Sequence, residues 1–111
     1  MASILLVQGD TRPQIQVTIS RSNSTEVVDL RTASTVLRFR KEDTTTVLTT
    51  LTAITADPDS LAEGICVFQF GDGDLDIDPG DYEGEVEVTY ADGAKETVFE
   101  VIKFIVREDF G

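Results

Sequence analysis

The run GDGDLDIDPGDYEGE, residues 71–85, gathers the side chains best placed to do chemistry. Asp72, Asp74 and Asp76 have the alternate spacing of a calcium loop, and Glu83 falls at the twelfth position from Asp72, where such loops place a bidentate carboxylate. With Asp78 they make a weak candidate metal set of hard oxygen donors: Asp72, Asp74, Asp76 and Asp78. Two features count against it. The sixth position is Ile77, where an EF-hand needs glycine for its sharp turn, and no segment with a helical period flanks the loop. The Gly71 and Gly73 spacing also echoes the calcium nonapeptide repeat, but a single copy cannot build that β-roll. The expectation is a solvated acidic loop whose Leu75 and Ile77 tuck into the core, with no metal or other cofactor assigned. A weak calcium site is the alternative.

Catalytic chemistry finds little support elsewhere. Histidine and tryptophan are absent, which removes the commonest general base, the usual triads and most transition-metal sites. Paired acid/base work needs two carboxylates in a cleft whose surroundings push their pKa values apart, whereas the carboxylates here alternate outward along strands or sit in turns. The one cysteine, Cys66 in ICVFQF, shares a face with Phe68 and Phe70 and is expected to be a small buried hydrophobe, unable to form an internal disulfide. Arg38, Arg40 and Lys41 form the basic cluster of VLRFRKED, and their alternation against Leu37 and Phe39 puts both arginines on an exposed strand face. That face is either solvated or turned toward an acidic neighbour. No enzyme is expected.

These residues need a frame, and the same run supplies its clearest marker. In DPGDYEGEVEVTY, Pro79 presets φ, Gly80 permits backbone angles denied to other residues, and the Tyr82 hydroxyl can bond back to the main chain near Asp78. The set Asp78, Gly80 and Tyr82 has the form of a tyrosine corner, the sharp crossing between the two sheets of an immunoglobulin-like sandwich. Behind it Tyr82, Val86, Val88 and Tyr90 alternate with Glu83, Glu85, Glu87 and Thr89, the period of a half-buried antiparallel strand. Two positions past the tyrosine, antibody-type domains place a disulfide cysteine, and here stands Gly84.

Turn clusters between Thr-, Val-, Ile- and Phe-rich segments divide the rest. Strands are expected at Ile4 to Gln8, Pro13 to Ser20 with Ile15, Val17 and Ile19 inward, Val27 to Leu30, Thr35 to Lys41, Thr46 to Ala56, Gly64 to Phe70, the corner strand to Tyr90, and a last one reaching Arg107. RSNST reads as a loop and ADPDSLAEG as the longest turn-rich link, and no segment carries a sustained helical period. The last strand changes phase: Phe99 and Val101 keep one face, Ile102, Phe104 and Val106 the other. This requires a two-faced core strand or a bulge near Ile102 and Lys103, while a functional reading makes it an edge strand apolar on both sides and so a pairing or docking surface. The expected fold is all-β: one immunoglobulin-like antiparallel β-sandwich over residues 1–111, with seven to nine strands and no disulfide.

Net charge is −12, unevenly distributed. Residues 1–41 carry six basic and three acidic side chains, and residues 42–111 carry three basic and eighteen acidic ones. Nucleic acid is an unsuitable partner, because phosphate neutralisation needs a basic field. The apolar run Ile4 to Val7 is too short for a signal segment or a membrane span, so cytoplasmic synthesis without membrane attachment is expected. Copies could meet head to tail, basic edge to acidic edge, unless strands from the two halves interleave and mix the charges.

Four segments together carry a resemblance: LLVQGDTRPQIQVTI, VVDLRTASTVLRFRK, GICVFQFGDGDLDIDPGDYEGEVEVTYADG and VIKFIVR. The chain resembles the small immunoglobulin-like domain at the N-terminus of tailed-phage baseplate upper proteins, and stand-alone phage virion proteins built on it. The likeness rests on an opening strand ending in Gly9-Asp10, on Asp29, Leu30, Ala33 and Phe39, on Gly80, Tyr82, Val86 and Val88, and on the Tyr90 to Gly93 turn. It implies a non-enzymatic virion component, made in the bacterial host cytoplasm, that packs in multiple copies or as a homo-oligomer against capsid, neck or tail proteins. The chain stops at Phe110-Gly111, where longer relatives continue into a receptor-binding or adaptor region, so a decoration, cement or joining role is expected. Interface residues expected from exposure are Ile4, Leu5, Leu6, Arg38, Arg40, Phe104 and Phe110. A calcium-dependent carbohydrate or cell-surface adhesion module, holding its ion through the acidic loop, is the alternative.

Overall fold

Alternating burial builds two sheets. The computed structural model describes residues 3–19, 28–54, 57–98 and 101–110. Within them the chain forms β1 (Ile4–Val7), β2 (Gln14–Thr18), β3 (Ser34–Lys41), β4 (Val47–Thr52), a short helix α1 (Pro58–Ala62), β5 (Ile65–Gln69), β6 (Gly80–Thr89), β7 (Lys95–Thr97) and β8 (Ile102–Arg107). One sheet has the order β1-β8-β6-β3-β4, with β7 also on β6, and the other pairs β2 with β5. This is an all-β sandwich of eight described strands with Cys66 a free thiol. The strands β3, β6 and β8 opposite β2 and β5 reproduce the two-sheet division of an immunoglobulin-type sandwich.

The core forms where the inward phases meet. β6 turns Tyr82, Val86 and Val88 inward, β3 contributes Leu37 and Phe39, and β5 contributes Cys66 and Phe68, all buried. Phe39 sits at the centre: its ring stacks on Tyr82 at 5.2 Å and makes T-shaped contacts with Phe70 at 5.3 Å and Phe104 at 5.1 Å. Such offset and edge-to-face pairs add about 0.5–1.5 kcal/mol each to area burial. Gly84 lets the layers close, since a Cβ there would lie 3.0 Å from Phe104 and 3.1 Å from Leu37. A side chain at the place antibody-type domains give to cysteine would crowd both, and the two side chains would have to give way slightly.

Several expectations change. The sandwich is not wholly antiparallel, because β1 runs parallel to β8, Leu6 beside Val106. The expected strand from Val27 is absent over Val28–Leu30, whose two apolar ends are buried nonetheless, with Val28 N–H bonded to the Ile19 carbonyl at 3.1 Å and Leu30 N–H to that of Leu61 at 2.8 Å. Val27 and the RSNST loop lie outside the described residues. The link ADPDSLAEG holds α1, opened by Pro58 after Asp57, a single turn too short to leave a helical period. Past Thr52 the chain leaves the first sheet for the second, where Ile54 N–H bonds the Val67 carbonyl at 2.9 Å.

The last strand is divided, and not at the expected place. Ile102 and Lys103 pair regularly with Gly84 and Glu83. The register instead slips by two residues upstream, between the bond from Val98 N–H to the Val86 carbonyl and the Ile102 pairing. An even slip keeps the phase, so Phe104 and Val106 both stay in the core. Phe99 lies outside the described residues. Nor is β8 an edge strand, since it runs between β1 and β6.

Candidate interaction surfaces

The corner is formed as its residue types require. Gly80 takes φ +147°, and the Tyr82 hydroxyl donates to the Asp78 carbonyl at 2.6 Å. Burial first, and the Asp78 charge second, push the Tyr82 phenol above its ordinary pKa, so it stays protonated and keeps donating. The corner fixes the start of β6 and so the end of the acidic loop.

That loop is anchored from inside. Leu75 is fully buried and Ile77 packs against the core from the rim. The Leu75 carbonyl accepts Gly9 N–H at 2.8 Å, and the Ile77 carbonyl accepts the Gln8 side-chain amide at 2.9 Å, tying the loop to the end of β1. Asp74 spends its carboxylate locally, accepting Gly71 N–H at 2.7 Å and, at a long 3.4 Å, the Thr49 hydroxyl. Among the described residues no three His, Cys, Asp or Glu side chains gather as a metal site, so Asp72, Asp74, Asp76 and Asp78 are not brought together as ligands. Beside the loop an open cleft of about 400 Å³ is lined by Lys41, Thr46, Leu48, Asp76, Ile77 and Tyr82. The sequence left no sign of it, because the β3–β4 turn and the loop meet only through pairing across the sheet.

Cys66 lies fully buried, and burial pushes its thiol up to about 11. A thiol held so far above neutrality, and out of reach of solvent, is no nucleophile.

The two arginines of β3 are engaged within the chain. Register places Arg38 against Glu85 and Arg40 against Glu83 on β6, and each guanidinium finds a carboxylate there. Arg40 Nη2 lies 2.7 Å from Glu83 Oε1, Arg38 Nη1 lies 3.2 Å from Glu87 Oε2, and Lys103 on β8 reaches the other oxygen of Glu83 at 3.3 Å. Basic strands from the first part of the chain thus interleave with acidic ones from the second, and charges that might have joined separate copies cancel within one. Glu83 is the centre of this ladder, nearly buried between two cations.

The hydrogen bond from Arg40, then Lys103, holds the Glu83 carboxyl below its ordinary pKa against the opposing effect of burial. A depressed folded-state value gives a contribution that is complete above the unfolded pKa of about 4.3 and lost as pH falls through the folded one. Thermal unfolding midpoints are therefore expected to fall on acidification below about pH 4. Glu83→Gln is expected to cost about 1 kcal/mol at neutral pH and to flatten part of that acid slope. A parallel acid slope in wild type and variant would remove Glu83 from this role.

The remaining interface candidates divide sharply. Leu6 and Phe104 are core residues, 5% and 1% exposed, and are withdrawn as docking residues because inward register buries them between the sheets. Ile4 packs partly against the same core. Leu5, 76% exposed, stands beside Ile105 on the outer face, and Phe110, 93% exposed, lays its ring 4.8 Å from the Arg107 guanidinium. The other exposed large apolar residues, Val47, Leu48 and Ile54, belong to β4 and its continuation. Leu5 on β1 and Val47 and Leu48 on β4 thus lie on the two opposite edge strands of the larger sheet, while Ile54 has already crossed to the second. A usable signal for β4 existed in the sequence: no charged residue stands between Asp43 and Asp57.

No protein-family model matches the chain, and a search of curated proteins finds no match.

Proposed function

We propose that this domain is a non-enzymatic structural accessory protein of a tailed bacteriophage particle, made in the bacterial host cytoplasm and built into the virion in multiple copies. It packs there against other virion proteins of the head, neck, tail or baseplate. The observation that carries the reading is the placement of the exposed apolar side chains, Leu5 and Ile105 at one edge of the larger sheet and Val47 and Leu48 at the other. A building block needs such surfaces at its margins, where packing extends an existing layer. Among the residues behind the phage resemblance, Leu30, Phe39, Tyr82, Val86 and Val88 are all buried, so the likeness is one of framework. The groups that could have suggested chemistry are otherwise occupied, Cys66 in the core and Arg38 and Arg40 in ion pairs.

Mass spectrometry of purified particles is the test. The polypeptide is expected in stoichiometric amount with the other virion proteins, and its absence from clean particles would sink the proposal.

A further inference from the structure

We infer that β4 is a homodimerisation edge. Its free side pairs antiparallel with β4 of a second copy, about a two-fold axis perpendicular to the sheet, and continues the larger sheet through both molecules. This goes beyond the particle assignment and does not depend on it.

The main chain makes the first part of the case. β4 ends the order β1-β8-β6-β3-β4, so one side of Val47–Thr52 has no strand partner among the described residues. Ala53 N–H bonds the Thr35 carbonyl at 2.9 Å, and the antiparallel alternation then turns the main-chain groups of Thr49 and Leu51 toward β3. Those of Thr50 and Thr52 point to the free edge. The register irregularity of this pair lies at its other end, where Arg40 meets Val47, leaving Thr49–Thr52 regular enough to receive a strand.

Side chains make the second part. Edge strands are ordinarily blunted by lysine, proline or an inward charge. β4 has none of these, and its run VLTTLT holds only uncharged residues, four of them β-branched and the other two leucine. Val47 and Leu48 are 45% and 47% exposed, on a chain whose net charge is −12. Val47–Thr52 itself carries no charged side chain; the charges beside it, Asp74 at the Thr49 hydroxyl and Lys41 and Asp76 next to Leu48, come from neighbouring segments. A neutral strand is what fits, and β4 is its own neutral complement.

Charge also selects the symmetry. β1, β3 and β8 end, and β4 and β6 begin, at the same end of the sandwich, which also carries Asp72, Asp74, Asp76, Asp78 and Asp81. Head-to-tail copies pairing β1 with β4 would align these acidic ends side by side. A two-fold through β4 sets each against the opposite end of its partner, the arrangement of lower repulsion.

The test is sedimentation of the full chain over a micromolar concentration series, for wild type, the double variant Thr50→Lys/Thr52→Lys, and Leu5→Lys. Wild type is expected to dimerise more tightly as salt is raised, because added ions screen two copies of like charge. The double variant should weaken the dimer about a hundredfold and Leu5→Lys should leave it unchanged. In wild type alone, hydrogen exchange at the Thr50 and Thr52 amides should slow as concentration rises, which reads the edge without any substitution. A monomer at every concentration, unslowed Thr50 and Thr52 amides, or a dimer lost in Leu5→Lys but kept in the double variant would each overturn the inference.

Discussion

Phe39→Ala is expected to lower the unfolding free energy by about 4 kcal/mol, within the range for truncating a buried aromatic side chain. The residue is fully buried, and its ring is shared by Phe70, Tyr82 and Phe104, so truncation opens a cavity bounded by three other rings. Those neighbours have little room to collapse. Tyr82 is held by its hydroxyl on Asp78, Phe104 by pairing on both sides of β8, and Phe70 by the bond from its N–H to the Pro13 carbonyl. Rigid walls place the cost near the upper part of the range. Against a total stability of about 5–15 kcal/mol for a domain of this kind, such a loss leaves little margin. Denaturant titration should show a lower midpoint with an unchanged slope. A loss below about 2 kcal/mol would mean that the four rings do not act as one packed unit.

The contrast between Phe39 and Phe104 shows what a sequence makes legible here. Phe39 is readable as core from its own strand, because Leu37 and Phe39 alternate with Arg38 and Arg40 and the period alone assigns the faces. The tyrosine corner is legible for the same reason: Asp78, Gly80 and Tyr82 interact within five residues, and their geometry is fixed locally. Phe104 has an equally regular neighbourhood, but its burial depends on β8 lying between β1 and β6, which is a fact of strand order. The ion pairs of Arg38 and Arg40 are hidden likewise, since their partners lie 49 and 43 residues away. Leu75 and Ile77 were readable by composition, as apolar residues that an acidic loop must bury. The helix α1 was not, because one turn opened by a proline leaves no period to detect. The candidate surfaces therefore divide as the interactions do: local chemistry is written in adjacent residues, and the edges and the cleft exist only once the strands are ordered.

Gly64→Ala is expected to cost at least about 3 kcal/mol, far more than the same change at Gly93. Both glycines hold positive φ, +80° at Gly64 and +88° at Gly93, so each loses about 1–2 kcal/mol from the backbone conformation alone. At Gly93 an added Cβ meets nothing within 4 Å, and that conformational term is the whole effect. At Gly64 it would lie 2.5 Å from the Ile19 carbonyl oxygen and 3.1 Å from that of Val28, both main-chain atoms that no rotamer change can move. Something in the framework must shift, and what stands there is a junction. Gly64 follows the C-cap Glu63 of α1, its N–H bonds the Leu61 carbonyl at 3.1 Å, and its carbonyl accepts Ile19 N–H at 2.8 Å. Moving Ile19 strains that bond and the one it accepts from Val28, each worth about 1 kcal/mol. The buried side chains of Ile19, Val28 and Leu30 would be pulled from register with them. Equal losses for the two alanine variants in chemical denaturation would show that α1 and the end of β2 do not approach this closely. An excess of about 2 kcal/mol at Gly64 is the expected result, and with it hydrogen exchange at the Ile19 amide should quicken ahead of the rest of the sheet.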